Sequence, residues 1–341
     1  MTCGDWLAVI EPHLTHPLFD TQAVRRLRVL GQRLPGDSLA ALEARLGPAA
    51  GRVDLSLQLP APPYARGMLE HLLAPRVRTF LSGWADPGGA LSAISCVWLE
   101  YDLEGELPGL PEPTVCCRLP REIDPGWLVD SLLPAMQGNP LSEHQRGLVL
   151  ACRDAIPASG SLLYVFSLRS RGSDAVRLEI FGLSPADMLA YLLRVAPQAV
   201  ASATEVASLF EGVERLHLSL DVADSILPRI GIEGSFPRLP AREPRWKELF
   251  ERLVEKGLCL SDKCAATLAW PGSDSFWSAP ASWPVEALGT KCHCVRSLSH
   301  VKVVCQPDRR PEAKVYLLFG PLDRSARPDR SPRSSPRSAG V

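Results

Sequence analysis

Six cations recur on strand-like segments at alternating positions: Arg118, Arg169, Arg177, Arg229, Lys302 and Lys314. Arg offers planar forks that match carboxylate or phosphate oxygens, and Lys acts as a point charge, so six such groups on one surface suit a polyanionic ligand. The same parity carries Glu100, Asp102, Glu179, Asp221 and Glu233, together with Trp98, His217, His300 and Tyr316. Two chemistries therefore compete for this face. The cations hold an anion and the acids move protons, or the two sets neutralise each other in cross-strand ion pairs with no ligand at all.

The elements that must position these side chains are hairpins. Successive strand residues point to opposite faces, so each alternating run has a polar and an apolar side. Pair one is "ISCVWLEYDL" with "TVCCRLP", pair two "LLYVFSLRS" with "AVRLEIFGL", pair three "VERLHLSLDV" with "ILPRIGIEGSF", and pair four "SHVKVVCQPDRRPEAKVYLLFGP". A further strand is expected at 53–59. The apolar parity collects Val97, Leu99, Val115, Tyr164, Phe166, Leu168, Leu178, Leu218, Ile232, Val301, Val303, Val315 and Leu317; Ser167 and Arg169 fall on the polar one.

Helical periodicity appears at 20–33, at 37–47 and across 63–83, and again at 124–136, 141–153, 184–195, 244–257 and 261–270. The order helices then hairpin recurs, and hairpins imply antiparallel pairing. An α+β fold follows, with every helix against the apolar side of the sheet. At about nine or ten strands such a sheet gains by curling shut, since closure removes its edges. The product is an antiparallel β-barrel with helices outside and a polar lumen too wide for side chains alone to fill.

That order of elements resembles the ABBA, or prenyltransferase-barrel, family of aromatic, indole and peptide prenyltransferases, and "EAKVYL" resembles the Lys-x-Tyr pattern of its lumen strands. The resemblance spans residues 50 to 320 and implies transfer of a prenyl group from a soluble allylic diphosphate, such as dimethylallyl diphosphate, to an aromatic small molecule or peptide side chain. On that reading Arg118, Arg169, Arg177, Arg229, Lys302 and Lys314 bind the diphosphate, and Tyr316, Trp98 and Phe181 shield the allylic cation. Glu100 resembles by position the family's acid that accepts the acceptor's proton, with Asp102 as its substitute. No cofactor is required, and the carboxylates leave room for magnesium. The alternative is a noncatalytic module whose lumen holds an anionic ligand or a peptide, and a purely structural sheet is the third reading.

Composition narrows the field. The 341 residues are 46% hydrophobic and 22% charged with a formal net charge of −1, which gives no general reason to expect nucleic acid or a membrane as partner. Neither a spanning run nor a signal-peptide pattern is evident, so a cytoplasmic location is expected. Several of the ten cysteines sit within core-like segments ("ISCVWLEY", "TVCCRLP", "VLACRDA") rather than at disulfide-framework spacings, as in a reducing compartment. Cys259, Cys264, Cys292 and Cys294 could reach zinc only if the intervening loop folded back, and their spacings fit no standard knuckle. There is no P-loop, no G-x-G-x-x-G after a strand, no G-x-S-x-G and no H-E-x-x-H. One barrel domain is expected over 1–321. Within it, Phe276, Trp277 and Trp283 of the 271–299 insertion are candidates for a lid, and 322–341 reads as a disordered Arg/Ser/Pro tail.

Overall fold

The computed structural model describes residues 2–36, 38–48, 52–59, 74–103, 111–276, 292–307 and 309–321. Its strands are β1 (Ala40–Arg45), β2 (Val53–Leu59), β3 (Cys96–Tyr101), β4 (Thr114–Arg118), β5 (Ser161–Ser167), β6 (Val176–Leu183), β7 (Leu216–Val222), β8 (Ile226–Gly234), β9 (Gly272–Phe276), β10 (Cys292–Gln306) and β11 (Arg309–Pro321). Antiparallel pairing runs in order from β1 to β8, then to β10, β11 and back to β1. Ten strands thus close into a barrel, with β9 added beside the first part of β10. The long β10 splits its duties: Cys292–Arg296 pair with β9, and Val301–Cys305 with β8.

The helices are α1 (Cys3–Val9), α2 (Thr21–Gly31), α3 (Pro75–Trp84), α4 (Leu133–Gln137, continuing a π-helical Trp127–Leu132), α5 (Glu143–Asp154), α6 (Pro185–Val195), α7 (Val200–Leu209), α8 (Arg245–Glu255) and α9 (Ser261–Ala269). Side-chain caps open several of them: Asp20 accepts from the Ala23 amide, Ser142 from Gln145 and Ser184 from Asp187. Gly257, beyond α8, takes the left-handed conformation that lets the chain leave the helix (φ 65°). The outward strand residues, including Val97, Leu99, Val115, Leu178, Leu218, Ile232, Val303 and Leu317, share one buried core with helical residues such as Leu128, Met136, Val149, Leu192, Val206 and Phe250. Each such Val or Leu contributes about 1.5–3 kcal/mol by leaving water. Among the described residues, no helix is long and apolar enough to cross a membrane.

Two expectations are corrected. The segment 37–47 is not a helix: Ala40–Arg45 form β1, paired with both β2 and β11. Ala, Leu and Glu favour a helix locally, but the same residues also alternate, and this strand closes the barrel, where two ladders outweigh a propensity of tenths of a kcal/mol per residue. The parity of β5 is the second. "LLYVF" is apolar on both faces, so its pattern cannot select one, and a register shift lies between Leu162 and Tyr164. Tyr164 sits opposite Arg118 and Glu179, and Phe166 opposite Cys116 and Arg177. Tyr164, Phe166 and Leu168 accordingly face the lumen, whereas Ser167 faces the helices and donates to Gln137 of α4. The second half of the stretch expected as a helix, 75–84, is α3; residues 60–73 lie outside the described residues, as do Trp277 and Trp283 of the expected lid and the 322–341 tail.

Candidate active site in the barrel lumen

The closing hairpin supplies one wall. Lys314 and Tyr316 of β11 both donate to Glu43 of β1, Lys314 across 2.9 Å. Arg45 binds the same carboxylate and reaches Asp54 of β2 at 2.8 Å. Burial alone would raise the Glu43 pKa, but Lys314 and Arg45 outweigh it and hold the carboxyl well below its ordinary range. On β10, Lys302 meets Glu233 of β8 at 2.6 Å, and His300 approaches it at 3.4 Å while stacking on Tyr316 with ring centres 4.1 Å apart. A Cβ at Gly231 would lie 2.5 Å from Cε of Lys302, so the absence of a side chain there lets the lysine stem lie along the wall.

Glu179 of β6 shares a hydrogen bond with Glu233. Burial and the Glu233 charge push the Glu179 carboxyl well above its usual range, while Lys302 overcomes burial and keeps Glu233 low. The two carboxyls are thus driven apart, Glu179 toward its protonated form and Glu233 toward its ionised one, as adjacent carboxyls are when like charges meet. His217 stacks on Phe181 at 3.7 Å, and burial lowers its pKa to about 4, so the imidazole is neutral.

On the neighbouring arc, Arg177 grips Asp221 of β7 through two bonds, 2.7 and 3.0 Å, and Arg229 of β8 lies 3.6 Å from the same carboxylate. The Arg177 guanidinium also stands 5.9 Å from the centre of the Phe166 ring. Apolar lining follows: Cys116, Phe166, Leu168 and Ala175 form a small cluster inside the barrel, with Trp98, Tyr164, Ala223 and Leu227 packed against it. Thus charged pairs and aromatic or aliphatic side chains alternate around the lumen, with Arg177 beside Phe166 and Tyr316 beside Glu43.

Most of the residues expected on the lumen face are brought together there: Trp98, Glu100, Arg118, Arg177, Phe181, Arg229, Lys302, Lys314 and Tyr316 line the inward parity, and Asp102 continues it beyond β3. Arg169 does not join them. It lies beyond the end of β5 and pairs with Asp174 and Asn139 at the rim, because Leu168 rather than residue 169 holds the inward position. Sequence reasoning missed Glu43 and Arg45, hidden by the helical reading of 37–47, and Asp54 beside them. It also missed Arg171, which the turn between β5 and β6 sends to Glu100 and Asp102. A guanidinium next to Gly172 in a hairpin was the available signal.

The charges are closely balanced: Lys314, Arg45, Lys302, Arg177 and Arg171 each contact a carboxylate of the lumen. No cluster of His, Cys, Asp and Glu suited to a metal ion occurs among the described residues. The Cys294 thiol lies near Cys3, while Cys259 lies near Cys264, and burial pushes the Cys259 thiol up to about 12.

No protein-family model matches the sequence, and no curated protein matches it. Solved structures do share its architecture. AnaPT from Neosartorya fischeri aligns over 92% of this chain and 91% of its own with 10% identity and a TM-score of 0.52. The apo form of the prenyltransferase PriB aligns over 92% and 94% with 13% identity and a TM-score of 0.51. A 6-dimethylallyltryptophan synthase from Micromonospora olivasterospora, in complex with DMASPP and Trp, covers 92% and 95% at 16% identity, with a TM-score of 0.45. The fold is the prenyltransferase barrel that the order of helices and hairpins implied.

Proposed function

We propose that the chain is a prenyltransferase, moving a prenyl group from an allylic diphosphate such as dimethylallyl diphosphate to an aromatic small molecule or peptide side chain. The observation that carries the reading is a lumen in which cations and carboxylates stand beside aromatic side chains, within a barrel shared with PriB. Arg177 and Arg229 share a single carboxylate and so have the most positive charge to offer a diphosphate, with Lys302, Lys314 and Arg118 on the surrounding wall. Diphosphate leaves with the electron pair of the allylic C–O bond. Trp98, Phe181 and Tyr316 then offer π faces to the cation and exclude water from it. The aromatic acceptor gives a π pair to form the new C–C bond, and the proton released on rearomatisation passes to the Glu100 carboxylate, with Asp102 beside it. The cationic groups already present require no metal, and magnesium dependence is a variable of the assay.

One observation favours a second reading, a noncatalytic module for an anionic ligand or peptide: the strongest lumen cations already have carboxylate partners, as a structural or ligand-storing barrel would also arrange them. A mass-spectrometric screen separates the two. Dimethylallyl and geranyl diphosphate are offered with aromatic acceptors, with magnesium and with EDTA. Prenylated product that disappears in Glu100→Gln supports transfer; saturable pyrophosphate binding without product from any pair supports the binding module.

A further inference from the structure

Arg171 belongs to none of the strands. It ends the single 3-10 turn Arg169–Arg171 between β5 and β6, and Gly172, left-handed at φ 69°, turns the chain back. The turn is anchored by a 2.6 Å contact between the hydroxyls of Ser170 and Thr114. From there the Arg171 guanidinium reaches across the strand ends. Its Nε and Nη2 bind the two oxygens of Asp102 at 2.8 and 3.1 Å, and Nη2 lies 3.5 Å from Oε2 of Glu100.

The geometry points to Arg171 as a positioning residue: it clamps Asp102 and, through the same guanidinium, holds Glu100 as a carboxylate turned into the lumen, ready to take the acceptor's proton. This inference rests on the prenyl-transfer reading, in which Glu100 is the proton acceptor. Other charged or titratable groups face Glu100, namely Glu43 on β1, Asp102 beyond β3, the neutral Cys116 thiol on β4, Arg177 and Glu179 on β6, Lys302 on β10 and the neutral Tyr316 phenol on β11. Of the cations, Arg177 is committed to Asp221 and Lys302 to Glu233. Arg171 is the cation whose own partners are this pair of carboxylates.

The sign follows from the balance at Glu100. Burial outweighs the neighbouring cations and leaves the Glu100 pKa above its ordinary value, with Arg171 the strongest influence against it. Without Arg171 the carboxyl holds its proton to higher pH, and a base is lost from the lower end of the working range.

The test titrates Glu100 directly in the full-length chain, by carbon NMR of glutamate labelled at Cδ, with Glu100→Gln assigning the resonance. Arg171→Gln should raise the midpoint by about one pH unit or more, a tenfold change in the ionised fraction on the acidic side. Arg171→Lys, which keeps the charge but not the fork, should fall between the two. If Arg171→Gln does not fold, Asp102→Asn decides: it removes a like charge and leaves the guanidinium to Glu100, so the midpoint should drop. An unchanged midpoint in a folded Arg171→Gln, or a rise in Asp102→Asn, overturns the inference. In transfer assays the acidic limb of kcat/KM should move with the NMR midpoint. A parent chain without transfer from any donor would sink the catalytic reading, while the titration would still decide whether Arg171 is the clamp.

Discussion

Asp221→Asn tests whether the paired arginines exist for the barrel or for an anion. Asp221 is 5% exposed and Arg177 7% exposed, so the substitution leaves a buried guanidinium without its carboxylate. Removing one partner of a buried pair costs about 3–5 kcal/mol, and the retained amide oxygen keeps this case near the lower end. With an unfolding entropy of about 2.1 cal/mol/K per residue over about 300 residues, each kcal/mol shifts the midpoint by about 1.6 °C, so the melting temperature should fall by roughly 5 °C. The same change frees Arg177 and Arg229 from the carboxylate they share, so pyrophosphate should bind the variant more tightly than the parent. At one hundred times its Kd, a ligand returns about 2.7 kcal/mol, which would restore most of the lost stability. Burial would raise the Asp221 pKa, but Arg177 outweighs it and the pKa is depressed. The stabilisation is therefore present at neutral pH, begins to fall near the unfolded-chain value of about 4 and is lost as the pH passes through the depressed folded-state pKa, below which parent and variant should converge. Melting curves and calorimetry with pyrophosphate, at low and high salt, read all of this. A variant that melts low and binds pyrophosphate no better than the parent would show that the two arginines hold the wall together and nothing more. A variant with the parent's melting temperature would refute the energetic argument itself.

Glu179→Gln should leave the chain at least as stable at pH 8. The folded chain retains a proton on Glu179 that the unfolded chain releases above about pH 4.5, so the parent loses stability as the pH rises, and the amide removes that loss. Glu233→Gln should be mild because Glu179 can then ionise and take over Lys302, whereas the double variant strands the lysine and should lose about 3 kcal/mol more than the two single losses added, a coupling that urea melts of all four proteins would reveal or exclude. Val303→Asp places a carboxylate at a fully buried outward position on β10 and should cost more than about 4 kcal/mol, enough to show as lost soluble yield; a melting temperature within a few degrees of the parent's would mean that this strand face is not packed as described.

What the sequence made legible was parity. Lys302, Lys314, Arg177 and Glu100 sit on strands whose other face is purely apolar, so their direction could be read without knowing the fold. Where both faces carry the same character, the reading failed: "LLYVF" has no polar side to orient it, and "AALEAR" satisfies a helix and a strand alike. The short helix α7, "VASATEVASL", was overlooked because small residues blur its amphipathic stripe. Partners were further out of reach than directions. That Arg177 meets Asp221, and Lys302 meets Glu233, depends on register, and register depends on hairpin lengths and on irregularities such as those between Leu162 and Tyr164 and between Ile180 and Leu183. Arg171 was hidden for a related reason, since a turn residue has no parity and only the folded hairpin shows where it points.

The balance of charges in the lumen follows from the barrel itself. Strands that expose cations inward without acids would repel one another when the sheet closes, and unpaired charges away from bulk water are costly, so a lumen empty of ligand is stabilised by pairing each cation on its own wall. A diphosphate entering such a lumen must replace carboxylates rather than fill vacant sites. Its binding is then an exchange, favourable where one carboxylate serves two cations and unfavourable where one cation serves two carboxylates. Asp221 between Arg177 and Arg229 is the first situation, and Arg171 between Glu100 and Asp102 is the second. If the chain transfers a prenyl group as proposed, this argument would put the donor's phosphates on the β6–β8 arc and the proton acceptor on β3, with the leaving group and the base on different strands.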